Sequence, residues 1–314
     1  TKPLIAEPII APTVHGQSGL DGPALPEPKN RPVDMDACAL MARVLEESAE
    51  PVALIPTGPL TNVAALLLLY PQLKPKIRHI YLMGGGAAYG NWTPAAEFNI
   101  LVDPEAADVV FRSGLPITMA GLDVTEKAMV FPEDFERIRA LNNPVSTVVA
   151  EWLDFFYNFH RSLGYEGAPV HDAVAVAALV KPELMTIREL YIEIELTGDY
   201  CRGATVADWH NAKKRAPNIH CILDIDRRGF VGIWQRHRFY SIAIRAWTTR
   251  SRSCSRSILS ASSWWRLRAW RAMSSAIRPR RTLCAYSSLP ASTCRFTVGP
   301  SSRCSANRSQ PIMC

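Results

Sequence analysis

The stretch Met83 to Asn99, MGGGAAYGNWTPAAEFN, sets amides and a carboxylate close behind a glycine-rich turn. Asn91 and Asn99 can both donate and accept hydrogen bonds, and Glu97 accepts them, a combination suited to the hydroxyls of a sugar-like ligand. Gly84, Gly85 and Gly86 let the backbone turn sharply and approach a ligand with no Cβ in the way. The segment before them, Ile77 to Met83, is short, β-branched and aromatic, and reads as a buried strand. Open α/β sheets bind ligands at the carboxyl ends of their strands, which is where this turn would lie. A glycine turn with a solvated loop is the plainer alternative.

Two other segments carry chemistry. Val14 to Gly22, VHGQSGLDG, is a glycine-punctuated loop holding His15 and Asp21. Gly167 to Asp172, GAPVHD, leads into the apolar run Ala173 to Val180, so His171 and Asp172 stand at the start of a predicted helix. A carboxylate there is expected as an N-cap. Capping does not explain the histidine beside it, and imidazole titrates near neutrality.

The elements that must position these residues alternate. Strands are predicted at Val52 to Pro56, Ile77 to Met83, Pro116 to Ala120 and Leu190 to Leu196. Helices are predicted at Asn62 to Tyr70, Pro104 to Ser113 and around Pro132 to Leu163, and the order implies an α/β fold with an open, mostly parallel sheet flanked by helices. The four-leucine run Leu66 to Leu69 is too short to cross a bilayer, so no membrane partner is expected. Cys38, Cys201 and Cys221 have no metal or disulfide spacing, which fits a cytoplasmic setting. No P-loop or dinucleotide fingerprint is present.

In chain order, HGQSGLDGP, PTGPLTNVA, MGGG with GNWTPAAEFNILVDPEAA, and PVHD resemble the inosine-uridine-preferring nucleoside hydrolases, most of all the bacterial pyrimidine-specific ribonucleoside hydrolases. The resemblance runs from about Lys2 to about Val231. It implies Ca²⁺-dependent hydrolysis of the N-glycosidic bond of ribonucleosides, pyrimidine nucleosides foremost, in a dimer or tetramer. It assigns Asp172 and the main-chain carbonyl of Thr57 to the Ca²⁺ shell, an oxygen-rich set that suits this hard cation. It assigns Asn99, Glu97 and Asn91 to the ribose 3′ and 5′ hydroxyls, Met83 to the underside of the sugar and Phe98 to the sugar and base region. His15 and His171 would face the base, with His171 as the candidate for protonating the leaving group. Tyr157, Phe159, His160 and Tyr165 fall where the family places its base-contacting helix and lid, and equally suit the packed face of a helix.

The match has two departures. Members of the family begin with a strand ending in an aspartate cluster of the form D-x-D-x-x-x-D-D, which these 314 residues do not contain. The first strand region is therefore expected to be missing from this chain, and Ca²⁺ affinity to collapse with it. From Ile233 to Cys314 there is no Asp, Glu or Lys but 15 Arg, within a chain whose net charge is +6. Such Arg, Ser, Trp and Cys enrichment matches a GC-rich gene read out of frame. The expected organisation is thus a nucleoside hydrolase-like domain over 1–232 and a non-native or disordered tail over 233–314. A ribose binder without turnover is one rival reading. RNA binding through the tail, around Trp264 to Arg271, is another, although no recognised nucleic-acid motif accompanies it and such a partner is not expected.

Overall fold

Apolar residues in this chain alternate along its strands and cover whole faces of its helices, and both patterns find their burial in the computed structural model. The structure describes residues 2–11, 21–25 and 33–234. Contacts divide the chain into Thr1–Ala276 and Ile277–Cys314, and every described residue falls in the first of these units. His15 and the basic tail beyond residue 234 lie outside the described residues.

In chain order the elements are α1 (Ala37–Glu47), β1 (Val52–Leu54), α2 (Thr61–Leu69), β2 (Ile77–Met83), α3 (Phe98–Val102), α4 (Pro104–Phe111), β3 (Ile117–Ala120), α5 (Leu122–Thr125), β4 (Met129–Val130), α6 (Pro132–Arg139), α7 (Pro144–Ser162), β5 (Ala168–Pro169), α8 (His171–Val180), β6 (Met185–Leu190), β7 (Ile192–Ile194), β8 (Thr205–Ala207), β9 (Ile219–Ile225) and α9 (Arg227–Trp234). Strands β1, β2, β3 and β9 lie side by side and parallel, and β6 closes one edge antiparallel to β9. The open, mostly parallel sheet flanked by helices is therefore present.

Period-two alternation divides the core between the two sheet faces. Ile80, Leu82, Ile117, Met119 and Cys221 pack with α1, α2 and α4 on one side. On the other, Met83, Ala120 and Ile222 pack with α8, α7 and α9. Burying a Leu, Ile or Val side chain fully stabilises by about 1.5–3 kcal/mol. Helix α8 is apolar nearly all round, as a helix enclosed by sheet and neighbouring helices must be. Asp103, fully buried, accepts from Thr61 Oγ1 at 2.5 Å, Leu4 N at 3.0 Å and Ala106 N at 3.1 Å. That one carboxylate caps α4 and ties it to α2 and to the amino-terminal segment.

One expected strand is divided. Leu190 to Leu196 is apolar enough for a single strand, but the main sheet keeps β6 only to Leu190, and β7 leaves to pair with β8 in a hairpin. Asn218 makes the break: its Oδ1 accepts from Ile192 N at 2.8 Å and its Nδ2 donates to Ile192 O at 2.9 Å. Local periodicity holds no trace of a side chain so distant in sequence. The hairpin matters for function, because it carries Thr205 to the glycine turn.

Candidate active site

At the carboxyl end of β2 the chain turns through Gly84, Gly85 and Gly86, and two of these positions admit only glycine. Gly85 has φ +75°, and a Cβ there would stand 2.7 Å from Thr205 Cγ2; a Cβ on Gly86 would overlap the Tyr89 carbonyl. Thr205 Oγ1 accepts from Gly86 N at 2.9 Å and donates to Gly86 O at 2.6 Å. The turn is thus stapled on both of its polar groups by a buried side chain from β8.

Glu97 and Asn99 hold the other side. Glu97 caps α3, its Oε2 accepting from Asn99 N at 2.8 Å, Ile100 N at 3.3 Å and Gly85 N at 3.0 Å. Three N–H donors thus converge on one oxygen of this buried carboxylate. Asn99 Nδ2 donates to the Met83 carbonyl at 3.0 Å and sits 3.1 Å from Met83 Sδ. That contact sets the amide orientation, since the flipped amide would press oxygen against oxygen. Asn99 Oδ1 is then a buried acceptor with no hydrogen-bond partner among the described residues. Leaving such an atom unsatisfied costs about 1–3 kcal/mol, which a ligand hydroxyl would offset.

The remaining predicted residues reach this edge by different routes. Met83 N donates to the Pro56 carbonyl at 3.0 Å, so Thr57 follows directly on a residue joined to Met83. Thr57 is buried, and its Oγ1 too has no hydrogen-bond partner among the described residues. Helix α8 packs on β2 and β3 and carries His171 and Asp172 in its first turn. The N-cap is Val170, with no side-chain cap, so the expectation that Asp172 caps α8 is corrected. Asp172 lies two residues beyond the N-cap position, and it is buried. His171 Nδ1 lies 2.8 Å from Thr125 Oγ1 at the end of α5.

Asn91 and Phe98 stand at the rim. Asn91 Oδ1 accepts from Phe98 N at 3.1 Å, and the Phe98 ring packs edge-on to Trp92 at 4.8 Å and against Ala11 and Val102. Tyr157 packs edge-on to Phe135 in the core. Phe159, His160 and Tyr165 form their own aromatic group, with His160 Nδ1 3.0 Å from the Phe156 carbonyl and burial holding its imidazole below the usual range. Sequence reasoning missed Thr125 and Thr205, which touch His171 and the glycine turn. Only the position of LDVTE just after a strand hinted at the first of these.

Oxygen donors suit a hard cation, and Asp172 and Thr57 are buried oxygen donors. The described residues gather no group of three or more His, Cys, Asp or Glu side chains that could hold a metal ion. They match Ca²⁺ in kind and supply only part of the six to eight oxygens it takes.

An open, mostly parallel sheet flanked by helices, with the candidate residues carried on β2, α3 and α8, is the α/β class of the nucleoside hydrolases. The chain belongs to the inosine-uridine preferring nucleoside hydrolase family, whose profile matches residues 1–232. It is 55% identical over 243 residues to pyrimidine-specific ribonucleoside hydrolase RihA of Shigella flexneri, covering 76% of this chain and 78% of the relative. Among solved structures it resembles a purine-preferring ribonucleoside hydrolase from Gardnerella vaginalis at 28% identity and TM-score 0.70, covering 77% of this chain and 78% of the other. The plant nucleoside hydrolase PpNRh1 is 30% identical with TM-score 0.64, covering 72% and 74%.

Proposed function

We propose that this chain binds ribonucleosides, pyrimidine nucleosides foremost, and hydrolyses the N-glycosidic bond to release ribose and free base. The observation that carries the reading is the buried, unsatisfied Oδ1 of Asn99, held beside Met83 within a chain 55% identical to a pyrimidine-specific ribonucleoside hydrolase.

In this reading Asn99 Oδ1 accepts from the ribose 3′ hydroxyl. Asn91 and Glu97 serve the 5′ side; Glu97 Oε2 is committed to the glycine turn, so the sugar contact is assigned to Oε1. Met83 packs beneath the ring, where a polarisable thioether tolerates the flattening of an oxocarbenium-like sugar. Phe98 closes the rim. Water adds at the anomeric carbon as the bond to the base nitrogen breaks, and His171 delivers a proton to the departing base through Nε2. The added water gives up its proton to solvent, and His171 is reprotonated from solvent, so that the atoms of one water are divided between ribose and free base. Thr125 Oγ1 at Nδ1 holds the imidazole in place for that transfer. His15 is assigned to the base side by resemblance. Asp172 and Thr57 are assigned to Ca²⁺, which would supply positive charge to the sugar hydroxyls and the attacking water. Assembly as a dimer or tetramer, and a cytoplasmic location in keeping with the free Cys38, Cys201 and Cys221 among the described residues, complete the proposal.

A second reading, ribose or nucleoside binding without turnover, is favoured because the described residues gather no group of three or more His, Cys, Asp or Glu that could hold a metal ion. Ribose release from uridine, cytidine and inosine, measured with added Ca²⁺ and with a chelator, separates the two. Release that the chelator abolishes supports hydrolysis. No release from folded protein that still binds ribose leaves the binder, and no binding of ribose or nucleoside at millimolar concentration sinks both.

A further inference from the structure

The β7–β8 hairpin meets the segment assigned to the sugar through more than Thr205. Gly203, Ala204 and Thr205 are buried in succession, and each touches a different part of that segment. Gly203, at φ +84°, passes so close to Leu101 that a Cβ would stand 3.0 Å from the Leu101 Cα, an approach only glycine permits. Ala204 forms an isolated antiparallel bridge with Ala96, the residue before Glu97. Thr205 holds both polar groups of Gly86. The hairpin is therefore a support for the glycine turn and for the residues that follow it.

The two ends of the hairpin are held differently. At its base, Ile192 and Ile194 are buried in the core with Ala107, Val110 and Phe111 of α4. At its tip apolar packing gives out: Thr197, Asp199, Tyr200 and Cys201 are all exposed. Arg202 supplies the attachment there. Its Nη2 pairs with Glu105 Oε1, in the first turn of α4, at 2.7 Å, and its Nη1 donates to the Leu196 carbonyl, which closes the tip on itself. Glu105 Oε2 is buried with no hydrogen-bond partner among the described residues, so this carboxylate depends on Arg202 for its compensating charge. Helix α4 is a firm anchor, because Asp103 ties its first turn to α2. The Arg202 and Glu105 side chains are 34% and 16% exposed, and an ion pair so near the surface adds little to global stability. Its effect is local, since Arg202 directly precedes the three residues that meet the sugar segment.

We propose that Arg202 and Glu105 are positioning residues, whose ion pair straps the hairpin tip to α4 and so keeps the glycine turn in the shape that takes a ligand. That the ligand is a sugar rests on the ribonucleoside reading above. When the strap is released, only part of the population holds the turn ready, and apparent affinity falls by that fraction. The strap touches none of the residues assigned to the base, so ribose, uridine and inosine lose affinity by one common factor.

The test compares the full-length wild type with Arg202→Glu, which sets two carboxylates against each other, and with the charge exchange Arg202→Glu/Glu105→Arg, which restores the pair. Arg112→Ala is the control, since it removes an ion pair to Asp108 that lies within α4 and away from the turn. Thermal melting verifies folding, and Glu105→Gln serves if Arg202→Glu unfolds. Amide hydrogen exchange reads the turn without any ligand: Gly86 N–H, bonded to Thr205, should exchange at least about fivefold faster in Arg202→Glu, while Ile80 N–H, bonded to the Pro116 carbonyl within the sheet, keeps its rate. Calorimetry with Ca²⁺ present should show ribose, uridine and inosine affinities falling together by about fivefold, and recovering in the charge exchange. An unchanged Gly86 rate, no recovery in the charge exchange, or an equal loss in Arg112→Ala overturns the strap and leaves the ribonucleoside reading intact. Faster Gly86 exchange that the charge exchange reverses, in a protein whose wild type binds neither ribose nor nucleoside, upholds the strap and places the fault with the ribonucleoside reading.

Discussion

Asn99 serves two purposes with one amide: its nitrogen locks the Met83 carbonyl, and its oxygen is left for a ligand. Asn99→Ala should therefore lower both stability and affinity. The orphaned Met83 carbonyl costs about 1–3 kcal/mol, read as a lower urea midpoint, and ribose affinity should fall at least about tenfold in calorimetry. Thr125 is a cleaner probe of His171. Thr125→Val keeps the shape of the side chain but removes the hydroxyl that orients the imidazole. The expected result is a fall of kcat for uridine toward the loss of general-acid assistance, about 10²-fold, with KM little changed. A rise in KM with kcat unchanged would mean that His171 contributes binding alone. His171 and Asn99 were legible from their motifs, whereas Thr125 was not, because it meets His171 only across two elements.

At the scale of elements, the glycine turn depends on the β7–β8 hairpin through Thr205. Thr205→Val leaves Gly86 N–H and C=O without their partner, at about 1–3 kcal/mol for each buried group. Thr205→Ser keeps the hydroxyl and should restore most of the stability and ribose affinity; urea denaturation paired with calorimetry checks both. Strand β2 carries a pH dependence of its own. His79 stacks on Tyr81 at 4.3 Å and lies 2.8 Å from Thr118 Oγ1. Burial first, then His220 and Arg78, lower its pKa from an ordinary 6.5 to about 4. Between those values the unfolded chain binds the proton and the folded chain does not, so stability is full above about 6.5 and falls as pH drops toward about 4. Unfolding midpoints measured across that window should fall with acidity, and His79→Gln should flatten the slope. A slope unchanged in the variant would assign the acid sensitivity elsewhere. Strand and helix existence was readable from periodicity, but the break after Leu190 was not, because Asn218 enforces it from β9's approach.

The charge of the whole molecule is split: 15 Arg and no acidic residue after residue 232, against a net acidic remainder. A polyanion should therefore bind the tail nonspecifically, with affinity falling steeply as salt rises. Fluorescence anisotropy of labelled RNA across a salt series checks this; affinity that salt leaves unchanged would assign the contact to something other than the arginine charge. Among the described residues no helix is long and apolar enough to cross a membrane.

Periodicity and composition determined the α/β class, and the motifs that carry the family resemblance put forward the glycine turn and Asn91, Glu97, Asn99, His171 and Asp172 as candidates. Periodicity and glycine placement act over a few residues, and a local signal of that kind survives in one dimension. Only the tertiary structure decided that Glu97 is occupied in capping α3, that Asp172 is buried within α8 instead of capping it, that Thr205 staples the glycine turn and that Thr125 meets His171. Those facts depend on hydrogen bonds between segments tens of residues apart, whose geometry exists only once the sheet has aligned the strand ends.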